Sequence, residues 1–421
     1  MAQPTRSQLA RLFRIRDFSL LWSGSTISLF GDGMYFVAIA WEVYHLSSSP
    51  AALGAVGVAF SLPQVALLLV GGVISDRVNR RVLMMAASLI SALAIGTLGV
   101  LIQLHVEALW MILILVFIYG GSQAFFLPAS QALTPALVPA ELLPRATAVN
   151  QMLEPVLIGV IGPSVGGVLI ALGGTGVALL VDSATFMAAL IAMALMSAGA
   201  IERVAEAGPA RKASVLHEAR EAIGFVRTTP WIWAGILAAA VANISLTGPL
   251  QVLTPYVVKY TLHGGVRDLA LVIAGGGVGA VAAAIYIAIR GAPRRNVTWI
   301  FVAWAASCLA LTPIGIATSA WQVAGLNFVV GVGLTIGNLI WFTLMGTRVP
   351  NQMLGRVSSL DLMISFSLTP LSNALTGPVA AVFGVSRTLL AAGLLGTVVT
   401  VATLFVPGVR DPEKTPVPTS G

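Results

Sequence analysis

Residues 51–103 read AALGAVGVAFSLPQVALLLVGGVISDRVNRRVLMMAASLISALAIGTLGVLIQ. The two apolar runs in it, 51–75 and 83–103, are each long enough to cross a bilayer as a helix, which takes about 20 residues. Between them lies only a short polar turn built around Asp76-Arg77-Val78-Asn79-Arg80-Arg81. A chain that crosses, turns within a few residues and crosses back is a polytopic membrane protein. Working outward, further runs of this kind fall at roughly 18–44, 108–131, 147–172, 175–198, 231–260, 268–290, 298–317, 320–346, 357–383 and 386–407. The reading is an all-α membrane protein with twelve transmembrane helices.

Composition agrees. The 421 residues are 57% hydrophobic and 9% charged, against about 25% charged for an ordinary soluble domain. The net charge of +7 does not point to nucleic acid, because the basic residues sort by side of the membrane. With the N-terminus cytoplasmic, only Lys259, Arg267 and Arg387 of the 23 Lys and Arg fall outside, so both termini are expected inside. The single cysteine, Cys308, allows no intrachain disulfide. No cleavable leader is read at the start, where residues 1–17 form a basic, mildly amphipathic interfacial segment.

Two six-helix bundles are expected, at 18–199 and 230–409, joined by a cytoplasmic linker at 200–229 that is partly an amphipathic helix, with a cytoplasmic tail at 410–421. An internal repeat supports the division. Val138-Pro139, Arg145 and Asn150 reappear as Val349-Pro350, Arg356 and Asp361, each number raised by 211. Parallel repeats of this kind build two-bundle transporters, with the substrate path at their interface. In the fifth run, Gly162 and Gly166 are four apart and present a small face for close helix approach, extended by Gly159 and Gly167, while Pro155 and Pro163 permit bending.

The turn Gly72-Val73-Ile74-Ser75-Asp76-Arg77-Val78-Asn79-Arg80-Arg81 resembles the signature loop of the major facilitator superfamily, with Asn79 in place of a glycine and chosen for its tolerance of a left-handed backbone. The resemblance implies that Gly72, Asp76, Arg77, Arg80 and Arg81, with Arg145 and Arg356 of the repeat, form a conformational latch on the cytoplasmic side. Gly162-Pro163-x-x-Gly166-Gly167 is similar to the antiporter motif of drug-exporting facilitators. Phe13-Arg14-Ile15-Arg16-Asp17-Phe18, Gly31-Asp32, Phe126-Leu127-Pro128-Ala129 and Gly355-Arg356-Val357-Ser358-Ser359-Leu360 extend the resemblance to the branch with enterobactin exporters and macrolide efflux proteins. That branch implies a bacterial inner-membrane transporter exporting amphipathic small molecules (drugs, macrolides or siderophore-like metabolites) by proton antiport. Its partners would be substrate, protons and the lipid bilayer, with no nucleic acid, and a monomer suffices.

Five carboxylates lie in or at the edge of the runs: Asp32, Glu42, Glu154, Asp182 and Asp361. Ionised at the membrane centre, each costs about 3 kcal/mol, so it needs a proton, a polar partner or water. Asp32 sits midway along the first run between Gly31 and Gly33, with Tyr35 and Phe36 just beyond. A buried acid beside an aromatic surface binds a cationic drug or a proton but not both cheaply, and such competition produces antiport. Asp32 is therefore the first proton-coupling candidate and Glu154, beside Pro155, the second. Asp182 reads as a packing hydrogen-bond partner, and Glu42 and Asp361, near span ends, as solvated. The resemblance assigns cavity lining to the first, fourth, seventh and tenth helices, which selects Tyr35, Phe36, Asn243, Asn338 and Trp341 as substrate-binding candidates.

An enzyme is disfavoured. His45, His105, His217 and His263 are scattered with no metal-ligand spacing, no nucleophile has a neighbouring base, and no P-loop or other cofactor motif is present. Facilitated uptake, lipid flipping and a non-transporting sensor stand as alternatives within the same architecture.

Overall fold

The computed structural model describes residues 11–139, 141–197, 215–291 and 293–414. The described part is almost entirely helical. In the first half the helices are α1 (Arg16–Leu46), α2 (Pro50–Arg77), α3 (Arg80–Gln103), α4 (Leu109–Leu137), α5 (Leu143–Val156) and α6 (Gly162–Ala194). In the second half they are α7 (Val215–Thr228), α8 (Pro230–Gly248), α9 (Val266–Arg290), α10 (Asn296–Leu311), α11 (Ala320–Arg348), α12 (Asn351–Ser367), α13 (Thr369–Phe383) and α14 (Val385–Thr403).

Among the described residues nine helical runs are long and apolar enough to cross a membrane. One of them, Leu153–Ala194, has 42 residues and would extend about 63 Å, twice the hydrocarbon thickness. It folds back at Gly174, whose φ of +85° no ordinary helical residue adopts, and so makes two passes. The helices α1 and the α12–α13 pair supply further passes in which polar residues such as Asp17, Asp32, Arg356 and Asp361 dilute the apolar average. The result is in keeping with the expected twelve.

Local sequence explains the ends and bends. Asn79 begins α3 as a cap, its side chain accepting from the Arg81 amide at 3.0 Å. Its φ is −56°, so the residue is used for its side-chain acceptor and not for the left-handed backbone expected of it. Pro50 and Pro230 open α2 and α8, where a missing amide costs nothing, and Gly291 and Gly384 close α9 and α13 at positive φ. The fifth pass widens into a π-turn at Leu157–Ile161 immediately before Pro163, which has no amide to donate to the carbonyl four residues back. The seventh pass does the same at Pro249–Leu253 and Val257–Thr261, around Pro249 and Pro255.

The chain divides into two compact units, residues 1–48 with 59–210 and residues 49–58 with 211–421. In the first, α6 packs along both α1 and α3, and α3 also packs on α4. In the second, α11 packs along α9 and α10, and α14 along α10 and α8. A buried cluster of Trp231, Ile232, Phe301, Trp304, Ile340 and Trp341 fills the second unit, with Phe225 and Val226 of the amphipathic α7 packed against it. The opening of α2 belongs to this unit, where Gly54 and Gly57 abut Asn373 of α13. Of the basic N-terminal segment, Leu12 is fully buried beside Phe18, Val138 and Leu142, whereas residues 1–10 lie outside those described.

Candidate functional site

In the first unit, one turn of α1 touches three other segments. A Cβ on Gly31 would collide with the Asp182 carboxyl and the Thr185 hydroxyl of α6. A Cβ on Gly33 would lie 2.7 Å from the Leu157 carbonyl oxygen and 2.9 Å from the Cα of Gly162. No such Cβ fits, so glycine on both sides is what lets these segments close on α1. Asp32, between them, is 8% exposed and accepts a hydrogen bond from the Tyr119 hydroxyl of α4 at 2.5 Å. Gln123 donates to the same hydroxyl at 3.3 Å, and Ser122 joins Ser91 of α3 at 2.7 Å one turn away. The small face expected of Gly162 and Gly166 packs against α1 at Gly33 and Met34, and Pro163 and Gly167 are buried with it, while Gly159 lies in the π-turn.

Aromatic rings surround this turn. Tyr35 is 2% exposed, with its ring centroid 5.0 Å from Tyr119 and 5.5 Å from Phe36, and Phe60 and Phe186 complete the group. Phe36 is half-buried. Glu154 lies one turn before the π-turn with an exposed side chain and makes no hydrogen bond among the described residues.

Two carboxylates expected to be solvated are buried instead. Glu42 is 4% exposed because it lies where α1 meets the fold-back of α6, and it accepts from the Thr175 hydroxyl, with the exposed His45 at 3.6 Å. Asp361 is 5% exposed and takes the Trp341 indole N–H at 2.9 Å and the Ser365 hydroxyl at 3.4 Å.

This second cluster lies in the second unit and gathers all three of its substrate-binding candidates. Asn243 of α8 donates to the Ser365 carbonyl at 3.4 Å. Trp341 is buried at 3% exposure, its ring 5.7 Å from Trp231 and 5.9 Å from Trp304. Trp304 in turn donates to the exposed Asn338 at 3.1 Å. Trp341 is thus a core residue whose polar end is already engaged.

Of the latch residues, Gly72, Asp76 and Arg77 have their backbone in the last turns of α2, and their side chains lie outside those described. Arg80 and Arg145 are half-buried. Arg81 donates to the carbonyls of Met193 at 2.7 Å and Ala194 at 2.5 Å, and Arg16 to that of Leu195 at 3.3 Å. Two cations therefore rest on the unsatisfied carbonyl end of α6, where the helix dipole favours positive charge. Arg356 pairs with Glu221 of α7 at 2.7 Å.

Tyr119, Thr185, Thr175 and Ser365 were not among the sequence candidates. Tyr119 left one signal, as the lone tyrosine in the α4 run: a buried tyrosine hydroxyl needs a partner.

A family model described as transmembrane secretion effector, of the major facilitator type, matches residues 7–417. The chain is 27% identical over 399 residues to the multidrug efflux pump Tap of Mycolicibacterium fortuitum, covering 90% of this chain and 93% of that protein. It is 23% identical over 384 residues to macrolide efflux protein A of Streptococcus pyogenes, covering 90% and 93%. A solved bacterial homologue of the human lysosomal transporter Spinster, inward-facing and unoccupied, shares the fold at a TM-score of 0.69 and 16% identity, covering 95% of this chain and 97% of that one. By this match over residues 7–417, and with its helical membrane fold in agreement, this chain belongs to the transmembrane secretion effector family of the major facilitator superfamily and is a multi-pass membrane transporter.

Proposed function

We propose that this protein exports amphipathic small molecules in exchange for protons by alternating access, from a bacterial inner membrane with both termini cytoplasmic. The observation that carries the reading is the setting of Asp32. It is buried, holds a tyrosine hydroxyl and is flanked by rings, and the membrane runs of the first bundle contain no Lys or Arg to neutralise it. A carboxyl so placed exchanges its proton at a large energetic difference between environments, which is what a coupling residue requires. Glu154, beside the π-turn, is the second coupling candidate because bending there changes its surroundings. The relatives, a multidrug efflux pump and a macrolide efflux protein, support export of bulky amphipathic compounds. Tyr35 and Phe36 of the first unit, and Asn243, Asn338 and Trp341 of the second, are the proposed contacts.

Everted vesicles energised by a proton gradient test this with ethidium, erythromycin and a catechol siderophore. The parent protein should accumulate at least one of them, and a protonophore should collapse the accumulation. D32N should insert at the parent level yet show no gradient-driven flux. Unchanged flux in D32N removes Asp32 from the mechanism. Flux that ignores the protonophore indicates facilitated passage or lipid flipping instead.

A further inference from the structure

The first bundle holds a second acid that the export reading does not use. Asp182 of α6 is 0% exposed, deeper than Asp32. Its Oδ1 receives only a long hydrogen bond, 3.4 Å from the Thr185 hydroxyl, which donates more closely to the Asp182 carbonyl at 2.6 Å. Its Oδ2 has no hydrogen-bond partner among the described residues. The carboxyl presses on the backbone of Gly31, next to Asp32, and a Cβ at Gly31 would exclude it. The glycine therefore makes room for one acid beside another.

Among the described residues the surroundings contain nothing that neutralises a negative charge. On α6 itself Asp182 is the only titratable residue. From α1 the nearby groups are Asp32 and Tyr35, and from α4 it is Tyr119, all within electrostatic reach. The α3 helix has titratable residues only at its start, Arg80 and Arg81, and Arg81 is spent on the carbonyls of Met193 and Ala194. Glu154 adds a further negative group on the side of Asp32. A purely structural carboxylate would be expected to fill its lone pairs, since an unsatisfied ionised oxygen in the interior is among the costliest things a fold can hold. Two buried carboxylates within electrostatic reach of each other and without a cation also ionise one at a time, as a coupled pair.

We propose that Asp182 is a second proton-carrying carboxyl, which works with Asp32 as a two-acid site so that the fully loaded bundle holds one proton on each. This rests on the export reading only for its purpose; occupancy by a proton is separately measurable. No bond other than O–H is made or broken: the proton leaves a carboxyl to water or to its partner acid and returns the same way.

The test uses the purified full-length chain in detergent, without substrate. Infrared spectra recorded in ordinary and heavy water across a pH series should show protonated-carboxyl bands, one of which is missing in D182N and returns in D182E. A D182N spectrum superimposable on the parent overturns the proposal. Should D182N fail to assemble, the unmutated protein decides, because dicyclohexylcarbodiimide modifies carboxyls in their protonated form. Modification of the Asp182 peptide that fades as pH rises supports the proposal, and absence of modification there overturns it. Loss of coupled flux in D32N with Asp182 silent in both assays leaves the export reading standing and sinks only the second carrier.

Discussion

Asp32 depends on one hydroxyl. Tyr119 gives it the one side-chain hydrogen bond it has among the described residues, while the tyrosine ring is separately held by Tyr35, Phe60 and Phe186. Replacing Tyr119 by Phe removes the donor and keeps the ring, so the fold should survive. A hydrogen bond to a charged acceptor is worth about 1.5–3 kcal/mol, so gradient-driven flux in Y119F is expected to fall by roughly 10- to 100-fold. Vesicle flux alongside a thermal melt checks both halves, and parent-level flux would mean that Asp32 acts without Tyr119. At this scale the sequence was only partly legible. An acid between two glycines in an apolar run announces itself, and Asp32 was found that way. Glu42 and Asp361 were misjudged because distance from a span end says nothing about which neighbour faces the side chain. Thr175 and Trp341, remote in sequence, bury these two, and contact with Gly31 places Asp182 beside Asp32.

Among the elements, the fifth pass is set apart by its π-turn. Pro163 enforces it by lacking an amide, and Pro155 opens the preceding turn. P163A supplies the missing donor, and the segment should tighten towards a regular helix. The expected outcome is a higher melting temperature, by a few degrees, together with slower efflux; a variant that is no more stable and equally fast would show that the bend is incidental. A second element-level effect concerns α6, whose carbonyl end carries Arg81 and Arg16. R81A removes two charge-assisted hydrogen bonds and should cost about 1–3 kcal/mol, read as a lower melting temperature in detergent. The apolar lengths made the helices readable in advance, including the break between 172 and 175 that Gly174 makes. The π-turns were not readable beyond the presence of proline, because hydropathy carries no information on hydrogen-bond register.

For the whole molecule, the arrangement of charge predicts its orientation. Both termini, and the linker carrying α7, are proposed to lie in the cytoplasm, with the loop after α1 outside. Cys308 is the single cysteine and is fully buried, so C308S provides a background for labelling. In that background H45C should react with a membrane-impermeant maleimide in intact cells, and R227C only after permeabilisation. The reverse pattern would invert the topology. Composition made the membrane class plain, and the repeat pointed to a two-part chain, but neither could reveal that residues 49–58 group with the second unit. That follows from Gly54 and Gly57 meeting Asn373, a contact between positions more than 300 residues apart in the chain.

The turn Gly31-Asp32-Gly33 carries one more implication. Successive helical residues point about 100° apart, so each of these three positions has its own neighbour: α6, Tyr119 of α4, and the Leu157–Gly162 segment. The first helix therefore has no freedom to spin about its axis, since rotation by a single residue would drive the acid into a slot sized for hydrogen. Whatever motion carries this bundle through its cycle must keep that azimuth locked.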